Sequence, residues 1–302
     1  MLIGGLELKN RLCLAPLAGV TSLSVREFFT GLGAALTHTE MISCAGLIRD
    51  NAKTCDMLET SEREGPLIIQ LFAPDANILI SGAERAIKIC KKFSGLGINM
   101  ACPMPKITRN SCGAALLHKP ETANEMVKGL KALGYPVWVK IRRLEKDSDT
   151  LNFIEVLANS GADNICLHGR TASQRYEGLA DRNITRLAAE KFPGLISASG
   201  DVKSVNDIDE YLSLGCVAVM LARGVIADPF LCTDNKVDSQ TRLETLINFA
   251  KRAEYLSGEH KALVLMKRFV GSVLRYSQGA ADKRKRACMS TRLNEIIEIL
   301  RE

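Results

Sequence analysis

The chain has 302 residues, 46% hydrophobic and 25% charged, the balance of a globular protein with a well-buried core rather than a disordered or fibrous one. No apolar run approaches the ~18 residues of a membrane span, and "MLIGGLELKNRLCLAPLAG" lacks the basic-then-apolar order of a secretion signal, so a cytoplasmic protein with no membrane partner is expected. The net charge of +6 sits entirely in residues 235–302, which hold 14 Lys and Arg against 8 Asp and Glu, and this marks the last quarter as suited either to a solvated helix face or to a polyanion.

In chain order, short apolar runs alternate with amphipathic stretches. "RLCLAP" (11–16), "ALTHTE" (35–40), "PLIIQLF" (66–72), "GINM" (97–100), "PVWVKI" (136–141), "NICLH" (164–168), "GLISAS" (194–199) and "VAVMLA" (217–222) read as strands. Helical patterns such as "NILISGAERAIKICKKF", "PETANEMVKGLKAL", "DTLNFIEVLANSG" and "SVNDIDEYLSLG" lie between most of them, while Met41 to Gly65 shows no clean helix. Eight strands of nearly continuous hydrophobicity alternating with helices predict an α/β fold, a closed parallel (β/α)8 TIM barrel, because strands covered on both faces have no polar face to show. An open doubly wound sheet is the alternative, but no G-x-G-x-x-G turn follows the first strand. After Pro229 the texture is helical only, in "QTRLETLINFAKRAEYL", "HKALVLMKRFVGSVLRY" and "TRLNEIIEILRE". Residues 1–234 are therefore read as the barrel domain and 235–302 as a small all-α domain.

Ten cysteines are scattered with no C-x-x-C pair, so neither a zinc site nor a redox motif is expected and most thiols read as small core residues. Cys102 differs in context. In "GINMACPMPKI" (97–107) it follows the fourth strand and precedes a proline that ends regular structure, which leaves a thiol at the rim. Cys112, in a loop heading into a helix, reads as structural.

The C-terminal ends of barrel strands form one mouth, where chemistry is housed. Here they read Pro16-Leu17-Ala18, Glu40, Gln70, Asn99, Lys140, His168, Ser199-Gly200-Asp201 and Ala222-Arg223-Gly224. Glycines after strands seven and eight let backbone N–H groups approach an anion, and Arg223 adds a fork of donors, so a phosphorylated ligand is implied. Alternation in "VKIRR" puts Lys140 and Arg142 on one face. Lys140 is open to three roles: Schiff base, proton carrier, or partner of a cofactor carbonyl. "HGRTASQRYEG" sets His168, Arg170 and Tyr176 on one strand-end loop, where a structural imidazole is the plain alternative for His168.

The ordered set "LAPLAGVTSLSVREF", "QLF", "NMACPMPKITRNSCGAALL", "VKIR", "HGRTASQRYEG", "SGD" and "ARGVIADPF" resembles the tRNA-dihydrouridine synthases from about residue 2 to 232. "LMKRFVGSVLRYSQGAADKRKR" is similar, more loosely, to that family's C-terminal helical domain. The resemblance implies an FMN-containing barrel that reduces the C5–C6 bond of uridine in tRNA with NADPH. It implies FMN contacts from Pro16, Leu17, Ala18, Gln70, Lys140, His168, Ser199, Gly200, Asp201, Ala222 and Arg223. Asn99, Arg142, Arg170 and Tyr176 would bind near the target base, with His168 close by, and Cys102 would donate the proton. Ala101, Ser199 and Ala222 depart from the residues commonest in the family, and each is small.

Saturating a pyrimidine C5–C6 bond takes a hydride at C6 and a proton at C5. A thiol with an ordinary pKa near ~8.5 is protonated at neutral pH yet acidic enough to protonate a developing enolate. The uridine must leave its stack to reach a flavin, and basic helices would hold the RNA body. Lys267, Arg268, Arg275, Lys283, Arg284, Lys285, Arg286 and Arg292 are the candidates. The competing expectations are a flavin barrel reducing a free small molecule, a Schiff-base barrel built on Lys140, and an RNA-binding protein that has lost catalysis. A monomer without metal is expected.

Overall fold

The computed structural model describes residues 1–233, 237–274 and 279–302. Its core is an eight-stranded parallel barrel of Leu12–Leu14, Thr37–His38, Leu67–Phe72, Gly95–Met100, Val137–Arg142, Asn164–His168, Ile196–Ser199 and Ala218–Leu221, in that order around the ring. The first and eighth strands pair in register Leu14 with Leu221. The ring closes between the first and second through the parallel bridge of Cys13 and Leu36, where Leu14 N–H donates to the Leu36 carbonyl at 2.8 Å. A short extension, Ile42–Ser43, pairs with the end of the third strand.

Both faces of these strands are buried, for different reasons. Outward side chains such as Leu14, Ile69, Ile98, Val139 and Leu167 join one large apolar cluster with the surrounding helices. Inward ones, Cys13, Ala15, Ile68, Trp138, Cys166 and Met220, form a second cluster that fills the barrel. The N-terminal ribbon of Leu2–Ile3 and Leu6–Glu7 closes the bottom: Trp138 Nε1 donates to the Gly4 carbonyl at 3.0 Å, and a Cβ on Gly4 would lie 2.7 Å from the indole. All chemistry is thereby left to the other end.

The helices start where side-chain oxygens meet their first N–H groups. Asp75 caps Ala76–Ile89, Asp181 caps Arg182–Lys191, Ser204 and Asp207 form a capping box on Val205–Ser213, and Asp238 caps Ser239–Ser257. The segment after the second strand, expected to lack a helix, contains Cys44–Ile48, Ala52–Cys55 and a 3-10 turn at Asp56–Leu58. These are too short to display a helical period, which is why the pattern was silent there.

Beyond the barrel lie Ser239–Ser257, Glu259–Val273, Ala280–Met289 and Leu293–Arg301. The third of these was not among the helices read from periodicity, because only Ala287 of it is buried and its apolar pattern is weak, although a solvated helix face was one of the two readings of its charge run. Residues 234–236, where the domain boundary was drawn, and Arg275 lie outside the described residues. The first two C-terminal helices dock on Leu23–Gly31 through a cluster of phenylalanines, with Phe28 stacked on Phe249 at 4.4 Å and Phe249 edge-on to Phe269 at 5.7 Å. Arg252 clamps Glu27 with two hydrogen bonds of 2.7 and 2.8 Å. Burial works against ionising Glu27, but the bonds from Arg252 and Ser61 and the Arg252 charge outweigh it, leaving its carboxyl below the ordinary range. The Glu259–Val273 helix also packs on Arg223–Ala227, the turn leaving the eighth strand, so the helical region flanks the mouth.

Candidate active site

The mouth encloses a cavity of about 560 Å³, within the size range of small-molecule and cofactor sites. Every strand but the second and third sends its end residue to the lining: Pro16, Leu17 and Ala18; Asn99 and Cys102; Lys140 and Arg142; His168 and Arg170; Ser199, Gly200 and Asp201; Ala222 and Arg223. Tyr176 joins them from the loop after the sixth strand. Gln70 lies one step behind, buried, accepting a 2.9 Å hydrogen bond from Asn99 Nδ2. Glu40 lies outside the lining and takes the Gly19 N–H at 2.5 Å, which steadies the loop after the first strand.

Cys102 is the half-buried thiol of the cavity, whereas Cys13, Cys44, Cys90, Cys112, Cys166, Cys216 and Cys232 are buried. Burial pushes Cys112 up to about 11 and Cys216 and Cys232 to about 12, as inert core thiols should be. The backbone carrying Cys102 is pinned. Asn99 Oδ1 accepts from the N–H groups of Ala101, at 3.2 Å, and Cys102, at 2.9 Å. Arg142 Nε donates to the Ala101 carbonyl at 2.9 Å.

Arg142 is 3% exposed and does more than this. Its Nη1 donates to the carbonyls of Thr171 and Arg175, each at 2.8 Å, so one guanidinium ties the Cys102 loop to the Tyr176 loop. The Tyr176 ring lies 4.6 Å from the Arg223 guanidinium and 5.6 Å from that of Arg142. Arg170 is equally committed: its Nη2 meets both Asp201 carboxylate oxygens at 2.8 and 2.7 Å and the Gly178 carbonyl at 2.7 Å. Burial opposes ionisation of Asp201, but the Ala180 N–H and Arg170 outweigh it and hold its carboxyl below the usual range.

Lys140 Nζ donates to Ser199 Oγ at 3.1 Å. Burial pulls its pKa down, opposed by Cys166 and helped by Arg142. His168 sits beside it, and burial followed by the charges of Lys140, Arg142, Arg170 and Arg223 pushes its pKa down to about 2. Burial and these charges favour the neutral imidazole, which can accept or donate a hydrogen bond. Gly200, at φ +117°, is what lets His168 approach, since a Cβ there would lie 2.6 Å from Cδ2. Asp201 continues the turn at φ +49°. The loop after the eighth strand fits under this turn because a Cβ on Gly224 would meet the Val202 carbonyl at 2.0 Å.

Residue types alone did not single out Met41, Met104, Leu179, Val202, Lys203 and Met220 as part of the lining. Met104 is 47% and Leu179 79% exposed, and such rim hydrophobes were the available signal. Of the basic residues, Arg268 is exposed and its guanidinium lies over Gly19, where a Cβ would be 3.6 Å from Nη2. Lys267 is half-buried on the same helix. Arg284 is exposed and runs along Gly271, while Arg286 is paired with Glu302 and Asp282.

Residues 13–288 match the model of the family described as dihydrouridine synthase. The chain belongs to the dihydrouridine synthase family. It is 30% identical over 281 residues to the probable tRNA-dihydrouridine synthase of Aquifex aeolicus, covering 88% of this chain and 87% of that one. It is 31% identical over 235 residues to tRNA-dihydrouridine synthase B of Pasteurella multocida, covering 76% and 70%. Among solved structures, morphinone reductase in complex with tetrahydroNAD superposes with a TM-score of 0.55 at 14% identity over 79% of this chain and 92% of that one, a likeness of fold. Dihydrouridine synthases are oxidoreductases, and this chain is one of them. Among the described residues, no helix is long and apolar enough to cross a membrane.

Proposed function

We propose that this dihydrouridine synthase uses FMN and NADPH to reduce the C5–C6 double bond of a uridine in tRNA, with Cys102 as proton donor. The observation that carries the proposal is the placement of the Cys102 thiol on the same cavity wall system as Lys140, Arg223 and the Gly200–Asp201 turn. The donor set fits a flavin mononucleotide. Arg223 and the turn after the seventh strand suit a phosphate, and the Lys140 ammonium, with Ser199 as its hydrogen-bond partner, suits a ring carbonyl. Pro16, Leu17 and Ala18 offer an apolar edge, and Ala222 leaves room beside them. Gln70 would act on the ring side through Asn99. When bound and reduced, flavin supplies the hydride for C6.

The remaining roles belong to the chain. Tyr176 offers a face on which an extruded base can stack. Arg142 and Arg170 hold the loop that carries it, and Asn99 and Arg142 hold the thiol's backbone. Cys102 would protonate C5, while Lys140 is turned to Ser199 and His168 favours its neutral form. Lys267, Arg268 and Arg284 would take RNA phosphates on the helical region beside the mouth, residues 235–302 serving as the RNA-binding domain. The test is dihydrouridine formation in unmodified tRNA, measured by mass spectrometry with FMN-loaded protein and NADPH. Cys102→Ala is expected to retain flavin and to lose a factor of roughly 10²–10⁴ in rate. No dihydrouridine from the unaltered chain, or an unaltered rate from Cys102→Ala, refutes the proposal.

A further inference from the structure

Four polar atoms of the Ala101–Cys102 backbone are held by side chains or by the next loop. Asn99 takes the two N–H groups, Arg142 the Ala101 carbonyl, and the Ala114 N–H donates to the Cys102 carbonyl at 2.9 Å. The last bond depends on Gly113. This residue has φ +61°, and a Cβ built on it would lie 2.6 Å from the Cys102 carbonyl oxygen, 2.9 Å from Ile107 Cγ2 and 3.2 Å from Cys102 Cβ. The first of these neighbours is backbone, so no rotamer change relieves it.

We propose that Gly113 is a positioning residue for Cys102: only a residue without a side chain lets the Gly113–His118 turn seat directly on the Cys102 carbonyl, and that seat fixes where the thiol stands. The inference rests on the reading of Cys102 as proton donor, and it adds a residue that touches neither substrate nor cofactor. Any methyl at 113 must push the Cys102 peptide away, and misplacement of a reacting group by about 1 Å costs on the order of 10²-fold in rate.

The test compares Gly113→Ala with Gly134→Ala. Gly134 has φ +84° with nothing within 4 Å of its would-be Cβ, so its variant carries the same left-handed strain without a displaced neighbour. Gly113→Ala should bind FMN as the parent does and show KM for tRNA within roughly threefold, with kcat lower by roughly 10–10²-fold. Its Cys102 should react with iodoacetamide at a rate changed by roughly fivefold or more, read on the Cys102 peptide against the exposed Cys288. Gly134→Ala should match the parent in all of these. Parental kcat and parental alkylation in Gly113→Ala overturn the inference, as does a loss confined to KM. Should Gly113→Ala fail to fold, Ile107→Ala carries the test by loosening the packing on the far side of the same turn. Alkylation of Cys102 there should rise by roughly threefold, and an unchanged rate overturns the inference. If the unaltered chain makes no dihydrouridine, the proposed reaction is lost while the alkylation rates still report on the seat.

Discussion

Lowering pH should destabilise this protein well before its carboxylates titrate. Two imidazoles are buried and neutral. Burial, followed by the charge of Lys140 and against a 2.8 Å bond to the Leu14 carbonyl, brings His38 to about 4. His168 lies at about 2. Both folded values are depressed, so the associated stability is complete above the unfolded value near ~6.5 and is lost as pH falls from there toward about 4 for His38 and about 2 for His168. Each histidine then binds a proton when unfolded but not when folded, and each contributes about 1.4 kcal/mol per pH unit. At pH 5 this amounts to about 2 kcal/mol apiece, or about 4 kcal/mol together, a large share of an ordinary folding free energy of roughly 5–15 kcal/mol. Urea unfolding of the flavin-free protein at pH 7, 6 and 5, followed by circular dichroism, reads this directly. His38→Gln removes one titrating group and should halve the slope below pH 6.5, whatever it does to the stability at pH 7. A midpoint at pH 5 equal to that at pH 7, or a slope that His38→Gln leaves intact, refutes the reasoning.

Arg142→Met leaves the Ala101, Thr171 and Arg175 carbonyls without their donor, but it also relieves the burial of a guanidinium and opens those carbonyls to water in the cavity. A net loss of about 2 kcal/mol is expected, together with a fall in kcat and faster proteolysis at residues 171–179, because the loop loses its anchor. Unchanged thermal stability and unchanged cleavage would show that the three bonds carry nothing. On the helical region, Lys267, Arg268 and Arg284 changed together to Gln should weaken tRNA binding and flatten the plot of log affinity against log salt by roughly 2–3, since each lost phosphate contact removes about 0.7–0.9. A slope that survives the triple change assigns the positive charge another purpose.

The barrel was legible because its strands are covered on both sides, so "LIIQLF" and "NICLH" carry apolar residues at both parities, with a polar residue in the C-terminal half of the run. Such polar residues mark where the mouth begins, and the strand-end rule placed Asn99, Lys140, His168 and Ser199 at one rim from sequence alone. Their hydrogen bonds were not legible. Alternation sets the face of Arg142 but not the three carbonyls it serves, which come from two loops about 40 and 30 residues away. Gln70 interrupts its apolar run as plainly as Asn99 does, yet it lies behind Asn99, because parity does not tell which of two amides stands in front. The Ala280–Met289 helix escaped for the opposite reason: charged nearly all round, it has no stripe for a periodicity to find.

The charges of the cavity say what kind of occupant the fold was shaped around. Lys140, Arg142, Arg170, Lys203 and Arg223 line it against the carboxylate of Asp201. Arg170 neutralises Asp201, whereas Arg142 donates only to neutral carbonyls and keeps its charge. Lys140, Arg142, Lys203 and Arg223 then remain as positive charge around the His168 imidazole. Nothing in stability favours such an arrangement, since an ammonium drawn partly out of water is dearer than an apolar side chain of equal volume, and half-buried Lys140 stands level with Cys166 of the neighbouring strand, whose side chain belongs to the apolar filling of the barrel. An occupant rich in acceptors, with an anionic end near Arg223 and carbonyls near Lys140, reverses that balance. Burial first, and then the same cations, disfavour a proton on His168, so the electrostatics that lower its basicity also suit an occupant with an anionic end and carbonyl acceptors.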